Sequence, residues 1–301
     1  MKIVVFGGAG FLGSHVCDSL SKRGHEVVVY DKKKSPYKGS AGQTEVIGDI
    51  LDEAKVTETV KGADAVYNFA SIVDLATAKN NPLDTIKHNV MGTAIILDAC
   101  RKNSVRRFLF ASTIYVYSDS GAFYRSSKQS SELIIEDYKK IYGIDYTIMR
   151  YGSLYGPRSD SYNWIYRVLK QALTEGRITR EGDGQEIREY IHVLDAARIS
   201  ADMLDDRYRN EYVIISGNQT IRIKDLLLMI NEIMGKKLKI EFLPSDDEQH
   251  YEITPYSFKP RIARKVVSDS YLDLGQGILD MIHSIDSEIG SKDKKAVRTD
   301  A

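Results

Sequence analysis

The feature that most constrains this chain is its opening. An apolar run, Ile3-Val4-Val5-Phe6, breaks into Gly7-Gly8-Ala9-Gly10-Phe11-Leu12-Gly13 and then into an amphipathic stretch, Phe11–Lys22, predicted to be a helix. Gly7, Gly10 and Gly13 recur at three-residue spacing between a predicted strand and that helix. Gly7 permits a tight turn, Gly10 lets backbone approach a pyrophosphate, and Gly13 lets helix and strand pack closely, with the helix N-terminus facing the anion. A glycine pattern means dinucleotide binding only in a strand–turn–helix context, and that context is present. Ser14 stands where a nucleotide-hydrolase phosphate loop needs lysine, so that kind of loop is excluded.

Asp31 closes the second predicted strand, 18 residues after Gly13. An acid there accepts hydrogen bonds from the adenosine ribose hydroxyls and repels a 2′-phosphate, which favours NAD over NADP. Lys32, Lys33 and Lys34 follow at once and keep NADP as the lesser alternative. Asp49-Ile50, after the third predicted strand, is placed to hold the adenine edge.

The same alternation continues. Predicted strands Lys2–Phe6, Glu26–Tyr30, Glu45–Ile47, Ala65–Phe69, Phe108–Ser112 and Tyr146–Arg150 are separated by predicted helices Phe11–Lys22, Ala54–Val60, Leu83–Lys102 and Ser126–Ile141. Strands rich in Val, Ile, Phe and Tyr alternating with helices predict a Rossmann-type α/β fold with a doubly wound parallel sheet, covered on both faces. After about Tyr151 the rhythm loosens into helices Asp160–Glu175, Leu194–Leu204 and Ile223–Met234 and strands Glu189–Val193, Tyr212–Ile215 and Leu238–Phe242. The expected organisation is a cofactor domain over 1–158, a smaller mixed α/β substrate lobe over 159–286 from which the chain can cross back to the sheet, and a charged, frayed tail over 287–301.

Charge narrows the partners. Lys plus Arg number 42 and Asp plus Glu number 42, so the formal charge is zero and a polyanionic partner, nucleic acid or an anionic membrane, has no support. No apolar run approaches the ~20 residues that span a bilayer, and nothing after Met1-Lys2 has the form of a targeting signal. Cys17 and Cys100 are too few for a disulfide scaffold and read as small buried hydrophobes in a reducing cytoplasm.

A second constellation supplies chemistry. Tyr124 and Lys128 lie four apart at the start of a predicted helix, on one face. Upstream, Phe110-Ala111-Ser112-Thr113 ends a strand. In a parallel sheet, strand C-termini and helix N-termini share the edge that carries the glycine loop. A hydroxyl, a phenol and an ammonium therefore converge beside a bound nicotinamide. Removing hydride from a carbinol carbon requires taking the hydroxyl proton, and a phenol, ordinarily titrating near pH ~10, is a poor base at neutral pH. A lysine cation and the nicotinamide charge are expected to lower it. Thr113 would hold the substrate hydroxyl.

With these residues in view, the chain resembles the extended short-chain dehydrogenase/reductases, specifically their NAD-dependent sugar-nucleotide epimerase/dehydratase group, from Lys2 to about Arg264. The resemblance also runs through Asn68-Phe69-Ala70-Ser71, Asn89-Val90-Met91-Gly92-Thr93, Arg150-Tyr151-Gly152-Ser153-Leu154-Tyr155-Gly156-Pro157-Arg158 and Gly182-Asp183-Gly184 to Asp195. It implies Tyr124 as acid/base, Lys128 on the nicotinamide ribose and tuning Tyr124, and Thr113 positioning the sugar hydroxyl. For the cofactor it implies Gly7, Gly10, Phe11, Leu12, Gly13, Asp31, Lys32, Asp49, Ile50, Phe69, Ala70, Ser71, Asn89, Lys128 and Tyr151. For the substrate it implies Thr113, Ser153, Arg188 on a phosphate and Arg261 as a second charge, with no metal. His192 and Trp164 read as structural. The resemblance further implies a nucleoside-diphosphate sugar as substrate and a homodimer through Leu83–Lys102 and Ser126–Ile141.

Three departures shape the functional expectation. Tyr117 and Tyr124 are only seven positions apart, where the family inserts a much longer loop that walls the sugar pocket. Ile114 and Tyr115 stand where family dehydratases carry an acid pair and decarboxylases a glutamate, which disfavours both activities. Ser153 replaces a frequent asparagine. The leading expectation is a nucleotide-sugar 4-epimerase working by reversible C4 hydride transfer through a ketone. A net C4 oxidoreductase with an open pocket, and a non-catalytic NAD sensor or scaffold, are the alternatives.

Overall fold

The computed structural model describes residues 1–37, 39–235, 238–244, 264–266 and 270–296, with the side chains of 264 and 291–296 outside the description. The first half runs β1 (Lys2–Phe6), α1 (Phe11–Lys22), β2 (Glu26–Asp31), β3 (Gln43–Ile47), α2 (Glu53–Thr59) and β4 (Ala65–Asn68). Short helices α3 (Leu75–Asn80) and α4 (Pro82–Ile86) lead through one wide turn at Lys87–Met91 into α5 (Gly92–Lys102). Then follow β5 (Arg107–Thr113), a tight turn at Ile114–Tyr117, α6 (Ala122–Tyr142) and β6 (Asp145–Tyr151). The second half runs β7 (Ser153–Tyr155), α7 (Trp164–Glu175), β8 (Arg177–Glu181), β9 (Ile187–His192), α8 (Val193–Asp202), β10 (Glu211–Ile215), β11 (Thr220–Arg222), α9 (Ile223–Ile233), β12 (Lys239–Leu243), β13 (Arg264–Lys265) and α10 (Leu274–Ala296).

Among the described residues one sheet has eight strands, all parallel, in the order β13-β10-β6-β5-β4-β1-β2-β3. The strand order reverses between β1 and β4, the topological switch point at which open α/β sheets bind ligands. Along β1, Ile3 and Val5 enter one core, which α1 and α8 cover, while Val4 and Phe6 enter the other with Ile96, Leu97 and Phe108. Both faces are buried, so the strand reads as an unbroken apolar run, as parallel strands do. A third core joins α7, α9 and α10 in the smaller lobe, through Ile165, Leu169, Leu226, Ile230, Ile278 and Met281.

The chain crosses back to the main sheet: β10 pairs with β6 and β13 with β10, so that sheet draws two strands from beyond residue 158. Two expected stretches are redrawn. The stretch Leu83–Lys102 is not one even helix. Its Lys87–Met91 turn is wound wide, because Asn89 turns its amide to Ile72 and Gly92 presses on Ile50, where an added Cβ would come within 2.5 Å of Ile50 Cδ1. The expected tail at 287–301 is helical through Ala296, since Ile278, Met281, Ile282 and Ile285 form the buried stripe of α10; 297–301 lies outside the described residues. No helix among the described residues is long and apolar enough to cross a membrane. Both cysteines are buried, and burial pushes their thiols well up.

A clasp ties the segment after β7 to the back of α1. Arg158 pairs with Asp18 at 2.7 Å and lies over the Tyr37 ring, while the Tyr37 hydroxyl donates to the Arg158 carbonyl at 3.2 Å. His15 Nε2 donates to the Pro157 carbonyl at 3.0 Å, and burial lowers that imidazole to about 4, so it is neutral.

Candidate active site

The glycine loop is a cradle with no room for side chains. Gly7 has φ +73°, and a Cβ there would come within 2.6 Å of Ala70 N; one on Gly13 would come within 2.2 Å of the Gly7 carbonyl oxygen. Gly10 caps α1 without a side-chain hydrogen bond, leaving the first amides of Phe11, Leu12 and Gly13 without intrahelical acceptors. Asp31, at the end of the adjacent strand, accepts from Ala9 N and Lys33 N, each at 3.2 Å, which places its carboxylate against the loop. Steric closure, open helix amides and an acid one strand away fit a dinucleotide's pyrophosphate and ribose.

The other predicted cofactor residues divide into two groups. Phe69 and Ala70 face the loop: the Phe69 amide donates to Phe6 O at 2.8 Å, and Ala70 lies against Gly7. Ser71 follows on the same turn, and Lys32 is exposed beside Asp31. Asp49 accepts Tyr30 Oη on its carbonyl at 2.7 Å and Leu51 N on its side chain at 3.0 Å, so it shapes the loop after β3. Ile50 is buried against Gly92. Two residues take a different place from the one expected. Asn89 is buried and spends its amide on Ile72 N and O (2.7 and 3.0 Å) and Ser127 Oγ (3.0 Å), so it pins the 71–72 segment to α6. Tyr151 sits in the core beneath α1 and α8 with its phenol 2.6 Å from Ser200 Oγ. Both support the site from within the protein.

Thr113, Tyr124 and Lys128 do converge. β5 ends at Thr113, and α6 opens two residues before Tyr124, a turn earlier than periodicity indicated. The Thr113 hydroxyl bonds the Tyr124 phenol and also accepts Tyr115 N at 3.2 Å. Lys128 Nζ donates to the Ala111 carbonyl at 2.8 Å and lies 4.7 Å from the Phe110 ring centroid and 5.9 Å from that of Tyr124. The chain's own groups do not depress the phenol. Burial pushes Tyr124 up to about 12, against the opposing Thr113 bond, and burial lowers Lys128 to about 7, against the pull of Glu132. Both groups are nearly inaccessible to water, so desolvation outweighs the Thr113 bond and the Glu132 charge.

Sequence reasoning missed the support under these three residues. Glu132, one turn beyond Lys128, accepts Ser112 Oγ at 2.5 Å, Arg150 Nε at 3.0 Å and Arg150 Nη2 at 2.6 Å. The Arg150 guanidinium lies between the Tyr117 and Tyr212 rings, 4.5 Å from each centroid, and donates Nη1 to the Tyr117 hydroxyl. The strand end carrying Thr113, the turn after it and the helix carrying Tyr124 and Lys128 are thus joined through one buried carboxylate. A charged residue ending an apolar strand at Arg150, and an acid four after Lys128, were the available signals.

On the substrate side, Ser153 is half-buried on β7, beside Tyr190 of β9. Arg188 is buried on β9 and donates Nη1 to the Ile187 carbonyl at 3.0 Å. Arg261 lies outside the described residues. His192 caps α8 by accepting Leu194 N at 3.3 Å, and Trp164 opens α7 with Arg180 over its ring, as structural roles require.

Comparison with known proteins gives this geometry its relatives. A protein of Bacillus subtilis described as an uncharacterized UDP-glucose epimerase, YtcB, is 28% identical over 80% of this chain and 85% of its own length. A dTDP-glucose 4,6-dehydratase of an Actinoplanes species is 32% identical over 78% of this chain and 82% of its own, and decarboxylases match at similar identity. The crystal structure of a UDP-glucuronic acid 4-epimerase from Bacillus cereus, in complex with UDP-glucuronic acid and NAD, superposes with a TM-score of 0.81 at 26% identity, covering 95% of this chain and 99% of that one. The model of the NAD dependent epimerase/dehydratase family matches residues 3–215. With that match spanning the glycine cradle and the Thr–Tyr–Lys cluster together, the chain belongs to the NAD-dependent epimerase/dehydratase family and is an NAD-dependent enzyme of it.

Proposed function

We propose that this chain is a 4-epimerase of a nucleoside-diphosphate sugar. One observation carries the reading. The Thr113–Tyr124–Lys128 cluster is complete, while the two positions after Thr113 hold Ile114, which is buried, and Tyr115. Water loss or decarboxylation needs a further positioned acid/base, and neither side chain is a carboxylic acid. Thr113 orients the C4 hydroxyl, and Tyr124 takes its proton as the carbon is oxidised. Lys128 favours the phenolate of Tyr124 by its charge once the sugar and cofactor fill the site. Bound NAD supplies the acceptor and returning donor of the C4 hydride. With the ketone turned in the site so that its opposite face takes the returning hydride, Tyr124 gives the proton back to the C4 oxygen, and no net oxidation results.

Incubation with UDP-glucose, UDP-N-acetylglucosamine and dTDP-glucose separates the readings. The expected result is a C4 epimer with no accumulating absorbance of reduced nicotinamide. A ketone product with stoichiometric NADH would establish the net oxidoreductase instead, the reading that the short Ser118–Gly121 turn favours.

The same proposal includes a homodimer. Leu83, Ile86 and Met91 on the α4–α5 segment and Leu133 on α6 stay exposed, an apolar surface that a second copy would cover. Sedimentation velocity should give twice the chain mass, and Leu133→Glu should shift it to the monomer; a monomeric parent chain would refute the pairing.

A further inference from the structure

The turn that stands where the family inserts a longer loop is built around Tyr115. Its amide donates to Thr113 Oγ1 at 3.2 Å, and its ring stands edge-on to Tyr124, with centroids 6.1 Å apart and planes at 73°. Gly121, at φ +95°, lies under that ring; a Cβ there would come within 2.7 Å of Tyr115 Cδ1. Ala122 follows at φ 40°, so the chain accepts two left-handed residues in a row to bring α6 up this tightly. Arg125 closes the turn by donating Nη1 to the Ser118 carbonyl at 3.1 Å, and it lies 3.8 Å from Asp119. Behind Tyr115 the packing is apolar, through Ile114 and Ile214.

The reacting hydroxyl must sit between Thr113 and Tyr124, so the substituent on a ring carbon next to it meets whatever flanks Tyr124. We propose that the Tyr115 ring, held edge-on to Tyr124 by the short Ser118–Gly121 turn, is the specificity-determining wall of the sugar subsite and admits a sugar whose substituent beside the reacting carbon is uncharged. A carboxylate there would be desolvated against an aromatic ring backed by apolar packing, a cost that hydroxymethyl or hydrogen does not incur. Arg125, the cation flanking Gly121, is already engaged with Ser118 and Asp119. The inference rests on the 4-epimerase reading and narrows its substrate to neutral nucleotide sugars.

The test compares UDP-glucose with UDP-glucuronate on the purified enzyme, by kcat/KM and by calorimetric Kd. The wild type should favour UDP-glucose by at least about tenfold in both, the scale on which a pocket rejects a group it cannot pair. Tyr115→Phe keeps the ring and should keep the ratio. Tyr115→Ala, or Tyr115→Leu should the alanine variant not fold, should shrink the ratio by about fivefold or more. A wild-type preference for UDP-glucuronate, or a ratio unmoved by removing the ring, overturns the wall and leaves the epimerase standing. Selective binding of UDP-glucose that depends on Tyr115, with no epimer formed, keeps the wall and overturns the epimerase. Failure to bind either sugar overturns both.

Discussion

Replacing Tyr124 by phenylalanine should lower kcat by about a thousandfold, inside the ~10²–10⁴-fold range of a lost general acid–base group. The deletion is small in every other respect. Tyr124 is buried, its ring packs against Tyr115, and the one hydrogen bond removed is that to Thr113. A single such bond contributes about 1 kcal/mol, so the variant should fold, melt within a few degrees of the parent and bind NAD and sugar nucleotide with little change. The loss therefore falls on kcat and spares KM, the signature of an interaction made in the transition state alone. Burial pushes this phenol up to about 12, against the opposing Thr113 bond. Near-normal turnover by the phenylalanine variant would remove Tyr124 from the mechanism.

The second large effect is structural. Glu132→Gln leaves the Arg150 guanidinium, 2% exposed, without its carboxylate. Breaking a buried pair by removing one partner costs about 3–5 kcal/mol, because the remaining charge is stranded, which for a chain of this size lowers Tm by roughly 5–8 °C. Exchanging both members, as in Glu132→Met with Arg150→Met, should cost less than either single change, since an apolar pair needs no compensation. Thermal unfolding of the two single variants and the double variant reads this directly. A Glu132→Gln protein within 1 kcal/mol of the parent would show that the carboxylate bears none of this role.

What the chain's residues disclose in advance follows from distance along the chain. The glycine cradle, Asp31 at the second strand end and the Tyr124–Lys128 pair are all local patterns, and each stands where the alternating apolar rhythm puts it. The Glu132–Arg150 pair joins residues 18 apart across a helix and a strand, and no local period marks it. Asn89 and Tyr151 belong to motifs shared with the family, yet their side chains turn into the protein, and a motif says nothing about direction. The start of α6 escaped for another reason: Gly121 and Ala122 adopt positive φ, a local choice that tertiary packing of Tyr115 enforces. In the smaller lobe, short strands such as β7 and β11 fall below the length at which alternation can be recognised.

The return of β10 to the edge of β6 bears on how such a protein can be taken apart. Cutting after Arg158 would strip Asp145–Tyr151 of the neighbour that Glu211–Ile215 provides over five residue pairs. It would also uncover an apolar parallel edge, an invitation to self-association. The half that cradles the dinucleotide is therefore not a detachable module: its last neighbour is made only after the substrate-side chain has passed through, and the two halves must be completed as one cooperative unit.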